Sequence, residues 1–121
     1  MTTVLVVDDD PDICALLEAF LRLADFHVVT ASDGHDALRK LRVTVSLPSV
    51  ILLDLMMPVM DGIEFRRHQQ ADLRLRDIPV VCLSARHDAQ QTAMRLGLLE
   101  CLGKPFELDA VLAAIFRHCG V

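Results

Sequence analysis

Acidic residues directly follow two apolar segments of this sequence, and their charges need compensation if the segments are buried. Asp54 ends the apolar run 50–53, and Asp8 and Asp9 follow the run 3–7. If both runs are neighbouring strands of a parallel sheet, the carboxylates meet beyond its carboxyl ends, where such sheets bind ligands. Carboxylates packed that closely repel one another unless a cation lies between them. Hard oxygen ligands with open positions favour Mg²⁺, which keeps waters and accepts phosphate oxygens.

The elements that would position these carboxylates alternate along the chain. Apolar runs predict strands at about 3–8, 26–31, 49–54, 78–84 and 98–102. Helical spacing and turn residues predict helices at about 11–24, 35–43, 62–71, 87–96 and 108–119, the second of them after a turn at 32–34. This alternation implies right-handed βαβ units, and therefore an α/β fold whose five-stranded, doubly wound parallel sheet is covered by helices on both faces.

Local signals predict how individual helices begin and end. Asp10 is expected to be the N-cap of the first helix, with Pro11 at its first position. Gly97 is the expected C-cap of the fourth helix. In the pair Asp61-Gly62, we expect the glycine to permit a backbone conformation that other residues resist.

Length and composition indicate a protein domain with a full core. The chain has 121 residues, of which 53% are hydrophobic, and we expect one domain over residues 1–121. No apolar stretch is long enough for a membrane span, and the N-terminus lacks the basic region of a signal peptide. These features predict a cytoplasmic protein with no membrane partner. The net charge of −5 argues against direct contact with nucleic acid.

The four cysteines and five histidines show no spacing typical of a metal site. We expect the cysteines to be reduced thiols that are mostly buried, as is usual for cytosolic proteins. The histidines are expected to lie at the surface.

Two further polar residues would lie at the same edge of the sheet. Ser84 ends the fourth predicted strand, and Lys104 comes shortly after the fifth. Taken together, the polar strand ends resemble those of a response-regulator receiver domain of two-component signalling, similar to the chemotaxis regulators. The resemblance covers essentially the whole chain and is carried by Val-Val-Asp8-Asp9, Leu-Asp54-Leu-Met-Met-Pro-Val-Met-Asp-Gly, Leu-Ser84-Ala and Lys104-Pro-Phe. It implies a flavodoxin-like (βα)5 fold with strand order 2-1-3-4-5.

The resemblance assigns phosphoryl chemistry to three of these residues. Asp54 would accept a phosphoryl group from a phosphohistidine of a sensor histidine kinase or a histidine phosphotransfer protein. Ser84 would hydrogen-bond a phosphoryl oxygen, and Lys104 would pair with Asp54 at rest and with the phosphoryl group after transfer. A cis peptide bond is expected before Pro105. Such a set suits phosphoryl transfer, which depends mainly on positioning and on stabilising charge at the equatorial oxygens.

The resemblance also assigns a metal site. Asp9 would bind Mg²⁺ directly, with Mn²⁺ as the alternative ion, and Asp8 would help to hold the ion directly or through water. Asp54 and the main-chain carbonyl of Met56 would supply the remaining protein ligands.

The function that the resemblance implies is that of a phosphorylation-dependent switch, rather than an enzyme that turns over an external substrate. An output partner or domain would bind the face formed by the fourth helix, the fifth strand and the fifth helix, while the first helix would meet the kinase. The chain would be a monomer or weak dimer. The sequence does not identify the kinase, the pathway or the output.

Cys101 departs from the family pattern, and Arg86 occupies a position at which relatives tune the lifetime of the phosphoryl group. Relatives usually carry tyrosine or phenylalanine three residues before the lysine, where this chain has Cys101. Cysteine is too small to move through the volume of an aromatic ring, so we expect a smaller rearrangement of the output face. Arg86 places a cation at the rim of the site, where we expect it to slow hydrolysis of the phosphoryl group.

A phosphatase and an interaction domain are the two alternatives to the switch. An aspartyl-phosphate phosphatase similar to the haloacid dehalogenases needs a second acid two positions after the nucleophile, and Met56 occupies that position. A receiver-like interaction domain without phosphorylation would not need Asp9, Asp54, Ser84 and Lys104, all of which are present.

Overall fold

Strands and helices alternate along the chain, and each strand arises from one of the apolar runs. The computed structural model describes residues 2–85, 88–98 and 100–119. The strands are β1 (Thr3–Val7), β2 (His27–Ala31), β3 (Val50–Asp54), β4 (Val80–Ser84) and β5 (Glu100–Gly103). The helices are α1 (Pro11–Leu23), α2 (Gly34–Val43), α3 (Gly62–Gln70), α4 (Ala89–Arg95) and α5 (Leu108–Cys119). Among the described residues, no helix has the length and apolar character needed to cross a membrane.

The strands form one parallel sheet with the order β2-β1-β3-β4-β5. The register pairs Val7 of β1 with Leu53 of β3, and Ser84 of β4 with Gly103 of β5. The carboxyl ends of these strands therefore lie side by side at one edge. The predicted α/β fold and strand order are confirmed. The topological switch point of the sheet lies between β1 and β3, where folds of this class bind ligands.

Alternate side chains of the strands contribute to two apolar clusters, one on each face of the sheet. Leu5 and Ile51 belong to the cluster that packs against α2, α3 and α4. Val4 and Val50 belong to the cluster that packs against α1 and α5. Every residue of β3 and β4 is buried, which explains why their sequences are unbroken apolar runs rather than alternating patterns. Each such aliphatic side chain contributes about 1.5–3 kcal/mol through burial.

Aspartate side chains cap helices α1, α2 and α3. Asp10 accepts a hydrogen bond from the N–H of Asp12 at 2.9 Å, and Pro11 is the first helical residue, as predicted. Asp33 and Asp61 accept equivalent bonds in the first turns of α2 and α3. These caps satisfy amide groups that have no partner within the helix.

The segment from α4 to β5 differs most from the predicted boundaries. Gly97 has a φ of 69°, and the N–H of Leu98 donates to the carbonyl of Ala93 at 2.9 Å. This arrangement is a Schellman motif, in which Leu96 is the C-cap, one residue earlier than predicted, and Gly97 follows it in the left-handed conformation. Leu98 therefore belongs to the helix terminus, and β5 starts later than predicted, at Glu100. The predicted boundary at residue 87 lies outside the described residues.

Candidate functional site

The predicted carboxylates lie together at the carboxyl edge of the sheet. Asp8 directly follows β1 and is 1% exposed, while Asp54 is the last residue of β3 and is 4% exposed. Asp9 is exposed to solvent. One oxygen from each of the three carboxylates lies within 4.8 Å of the other two. Two buried acids and one exposed acid thus converge on one point at the surface.

Lys104 places its ammonium group between the two buried carboxylates. Its Nζ lies 2.7 Å from Oδ2 of Asp8 and 3.4 Å from Oδ2 of Asp54. The expected pairing of Lys104 with Asp54 is therefore shared, and the shorter contact goes to Asp8. The ammonium group reaches both carboxylates because Asp54 ends β3 and Asp8 directly follows the adjacent strand β1.

Ser84 and Lys104 are held beside each other by the backbone. Ser84 ends β4, is 1% exposed, and its carbonyl accepts a hydrogen bond from the N–H of Lys104 at 2.9 Å. The peptide bond between Lys104 and Pro105 is cis, as the resemblance implied. Parallel register between β4 and β5 thus brings a hydroxyl and an ammonium group to the edge where the carboxylates converge.

The loop between β3 and α3 fixes the orientation of Asp54. The N–H of Met56 donates to Oδ1 of Asp54 at 3.1 Å. Gly62 packs so closely on the end of β3 that a Cβ there would lie 2.5 Å from the carbonyl oxygen of Asp54. Its φ is not positive, so the prediction that Gly62 provides an unusual conformation is wrong. Glycine is needed for space.

Comparison with known proteins identifies the family. The profile of the response regulator receiver domain matches residues 4–116. The chain belongs to this family. This receiver domain is 43% identical to the transcriptional regulatory protein PrrA of Mycobacterium tuberculosis, in an alignment that covers 97% of the chain and 51% of that protein. It is 38% identical to the CpxR homolog of Haemophilus influenzae, covering 98% of the chain and 52% of the relative. The receiver domain therefore spans about half the length of these curated relatives.

Solved structures share the fold of this receiver domain over nearly its whole length. The chemotaxis protein CheY4 of Vibrio cholerae is 31% identical, with a TM-score of 0.88 and 98% coverage of both chains. The receiver domain of the sensor histidine kinase PA1611 of Pseudomonas aeruginosa is 28% identical, with a TM-score of 0.87 and coverage of 99% and 98%. That structure has a magnesium ion coordinated in its active site cleft.

Burial dominates the electrostatics of Asp54. It raises the pKa of this carboxyl to about 6, the N–H of Met56 opposes the increase, and the charge of Asp8 adds to it. Lys104 also acts against the increase. At neutral pH Asp54 is still mostly ionised, and a cation bound beside it would favour the ionised form further.

The charge of Lys104 is secured by its two acidic neighbours. Burial alone would lower the pKa of this lysine, but the hydrogen bond to Asp8 and the charge of Asp54 more than offset that effect, so the pKa is raised. Lys104 therefore remains an ammonium group throughout the physiological range. This ammonium group is a compact point charge.

Of the two positions compared with the family pattern, Cys101 lies within the described residues and Arg86 does not. Cys101 is buried in β5, where it pairs with Cys82 of β4. Its carbonyl accepts a hydrogen bond from Nε2 of Gln90 at 2.9 Å, which joins α4 to β5 through a side chain rather than a packed ring. Arg86 lies outside the described residues, so its predicted effect on hydrolysis stays a prediction.

A cleft that sequence reasoning missed opens beside Asp8 and Asp9, between α1 and the ends of β2 and α2. Its walls include Cys14, Glu18 and Lys40. Lys40 is tied to this wall, because its Nζ donates to the carbonyl of residue 30 at 2.5 Å. These residues form no motif in the sequence, and they reach one cleft only because α1 and α2 lie on opposite faces of the sheet beside the end of β2.

Proposed function

We propose that this receiver domain is a switch that accepts a phosphoryl group on Asp54 from a phosphohistidine. The observation that supports this best is the buried carboxylate of Asp54 at a strand end, 3.4 Å from the ammonium group of Lys104 and next to two further acids. An isolated buried acid would be destabilising, whereas the charge of Asp54 is compensated by Lys104. The same lysine can compensate the charge of a phosphoryl group on Asp54. The donor is a sensor histidine kinase or a histidine phosphotransfer protein, which the family's role in two-component signalling supports.

Asp54 acts as the nucleophile. A carboxylate oxygen forms a bond to phosphorus while the bond between phosphorus and the donor's imidazole nitrogen breaks, and the imidazole leaves. The N–H of Met56 holds the other carboxylate oxygen, which limits rotation of Asp54. No general base is required, because a carboxylate is already ionised at neutral pH.

Lys104 and Ser84 stabilise the phosphoryl group. The ammonium group of Lys104 needs only to move from its contacts with the carboxylates to the adjacent phosphoryl oxygens. The hydroxyl of Ser84, at the end of the neighbouring strand, donates to another oxygen. Removing the lysine would leave the new charge without its nearest cation.

Asp8, Asp9 and Asp54 suit a hard divalent cation, since all three offer carboxylate oxygens within a small sphere. We propose that these residues and the main-chain carbonyl of Met56 hold Mg²⁺, with Mn²⁺ as an alternative. When bound, the ion supplies positive charge that offsets the charge of the incoming phosphoryl group. The magnesium ion in the related PA1611 receiver domain supports this proposal.

The output is a change in partner binding at the face of α4, β5 and α5, in the cytoplasm. Ser84 is the last residue of β4, and Lys104 directly follows β5. A phosphoryl group that repositions these two residues therefore acts directly on this face. The small side chain of Cys101 favours a limited rearrangement there. The receiver domain itself is acidic and is not proposed to touch nucleic acid; the curated relatives are transcriptional regulators, and control of transcription would belong to residues beyond this domain.

Acetyl phosphate can test the proposal without a known kinase. The purified chain is incubated with acetyl phosphate and Mg²⁺, and its intact mass is recorded before and after. We expect the mass of one phosphoryl group to be added to the wild-type protein and not to Asp54→Asn. Asp61→Asn, which changes the capping acid of α3 on the same loop, is the control and should still gain this mass. Absence of the added mass would contradict the switch and favour a receiver-like interaction domain. Steady release of phosphate from simple phosphate esters would instead favour a phosphatase.

A further inference from the structure

Two buried cysteines face each other across neighbouring strands behind the phosphoacceptor edge. Cys82 lies in β4 and Cys101 in β5, and the two residues are partners in the parallel register. Their Sγ atoms are 2.6 Å apart. Neither residue has a part in the proposed phosphoryl chemistry.

The backbone separation of this pair is suitable for a disulfide bond. Neighbouring strands lie about 4.8 Å apart, which is inside the range of about 4.4–6.8 Å for the Cα atoms of natural disulfides. The S–S bond length is about 2.05 Å, so the two sulfur atoms would need to approach by only about half an ångström. Forming the bond therefore requires little movement of β4 or β5.

We propose that Cys82 and Cys101 form a redox modification site, in which a peroxide oxidises the pair to a reversible disulfide that joins β4 to β5. This site is separate from the proposed function, and only its effect on Asp54 depends on that function. A peroxide is the expected oxidant because it is small and uncharged, whereas Cys101 is 5% exposed and Cys82 is 0% exposed.

The chemistry balances in two steps. The thiolate of Cys101 attacks one peroxide oxygen, the O–O bond breaks, and the products are a sulfenic acid and, after protonation, water. The sulfur of Cys82 then attacks the sulfenic sulfur, the disulfide forms, and a second water leaves. Two thiols are oxidised, and one hydrogen peroxide is reduced to two waters.

The two sulfur atoms differ in a way that sets this order. The hydrogen bond between them lowers the pKa of Cys101, and the same bond together with burial raises the pKa of Cys82. Cys101 also lies in the edge strand of the described sheet and is the more exposed of the two. Cys101 is therefore the first thiol to react, and Cys82 resolves the sulfenic acid.

Oxidation would act close to the proposed phosphorylation site. Ser84 lies two residues after Cys82 and Lys104 lies three residues after Cys101 on the paired strands. A covalent link between the strands would restrict the two groups that must move toward a phosphoryl group. Oxidised protein should therefore be phosphorylated more slowly by acetyl phosphate.

A thiol-labelling experiment tests the disulfide directly. In a Cys14→Ser, Cys119→Ser background, folded protein is treated with hydrogen peroxide, the peroxide is removed, and the chain is unfolded in N-ethylmaleimide before intact mass is measured. We expect untreated protein to take up two labels, and treated protein to take up none and to weigh two hydrogen atoms less. Dithiothreitol should restore both labels.

Single-cysteine variants in the same background serve as controls. Cys82→Ser, which keeps a hydrogen-bonding group beside Cys101, should leave Cys101 as a sulfenic acid that dimedone traps, and Cys101→Val, which keeps an apolar side chain in the core, should leave Cys82 labelled by maleimide. Full labelling of the treated parent, or disulfide-linked dimers in place of the internal bond, would overturn the proposal. Equal acetyl phosphate rates for oxidised and reduced protein would overturn only the coupling to Asp54, and the labelling result stands whether or not Asp54 is phosphorylated.

Discussion

Replacing Asp54 with asparagine is expected to stabilise the metal-free receiver domain at neutral pH, although it removes the proposed phosphoacceptor. Burial raises the pKa of this carboxyl to about 6, against an ordinary value of 3.8. The folded protein therefore holds the proton more tightly than the unfolded chain does. Ionising Asp54 consequently lowers the free energy of unfolding, and the asparagine variant avoids this loss.

The size and pH range of the effect follow from the two pKa values. A shift of roughly two units, at about 1.4 kcal/mol for each, sets an upper limit of about 3 kcal/mol. The stabilisation that the carboxyl gains by holding its proton is fully present below pH 3.8 and is lost as the pH rises through about 6. The advantage of Asp54→Asn should therefore be largest above pH 6 and should vanish in acid. The asparagine oxygen keeps an acceptor for the N–H of Met56.

Urea unfolding in the presence of a chelator, from about pH 4 to about pH 8, measures this difference. Asp36→Asn is the matched control with the opposite sign. Burial opposes ionisation of Asp36, but hydrogen bonds from Arg39, from the N–H of Ser32 and from Lys40 outweigh it and lower its pKa. That variant should lose stability at neutral pH and recover relative to wild type as the pH falls through the lowered pKa. A metal-free Asp54→Asn variant no more stable than wild type at neutral pH would refute this electrostatic explanation.

Substitutions at three other positions test separate parts of the fold, all by urea unfolding. Arg66→Met should lower the free energy of unfolding by about 2 kcal/mol or more, because the buried guanidinium donates to two carbonyl groups just after α4 at 3.0 and 3.2 Å. Faster amide exchange at the end of α4 should accompany this loss. Arg66→Lys, which keeps the charge but not the forked donors, should recover only part of it. Gly62→Ala should cost about 1–3 kcal/mol, since the new methyl group would meet backbone atoms of β3, and an unchanged midpoint would contradict that contact. Val59→Gly should stabilise by about 0.5–1 kcal/mol, because Val59 is 84% exposed and has a φ of 68°; destabilisation would show that this backbone is not strained.

The features that the sequence predicted well are those with local causes. The buried strands β3 and β4 appear as continuous apolar runs, and the cap at Asp10 depends on its immediate neighbours. The convergence of Asp8 and Asp54 then follows from the rule that parallel strands end at one edge. The fold and the position of the site were therefore accessible without coordinates.

The features that the sequence could not predict depend on packing between distant segments. The shorter contact of Lys104 with Asp8, at 2.7 Å against 3.4 Å for Asp54, depends on how the ends of three strands pack together. The pairing of Cys82 with Cys101 depends on the register of β4 and β5, which the spacing of cysteines in the chain does not reveal. The role of Gly62 could not be predicted either. The same sequence would be found if glycine were needed for a positive φ or, as in this structure, for the absence of a Cβ beside the backbone of β3.

Chemical location of the phosphoryl group tests the central claim most directly. Protein treated with acetyl phosphate and Mg²⁺ is reduced with borohydride, which converts an aspartyl phosphate to homoserine, and the peptides are then sequenced by mass spectrometry. We predict homoserine at position 54, with unmodified aspartate at positions 8 and 9. Homoserine at either of those positions, or at none, would contradict the assignment of Asp54 as the phosphoacceptor.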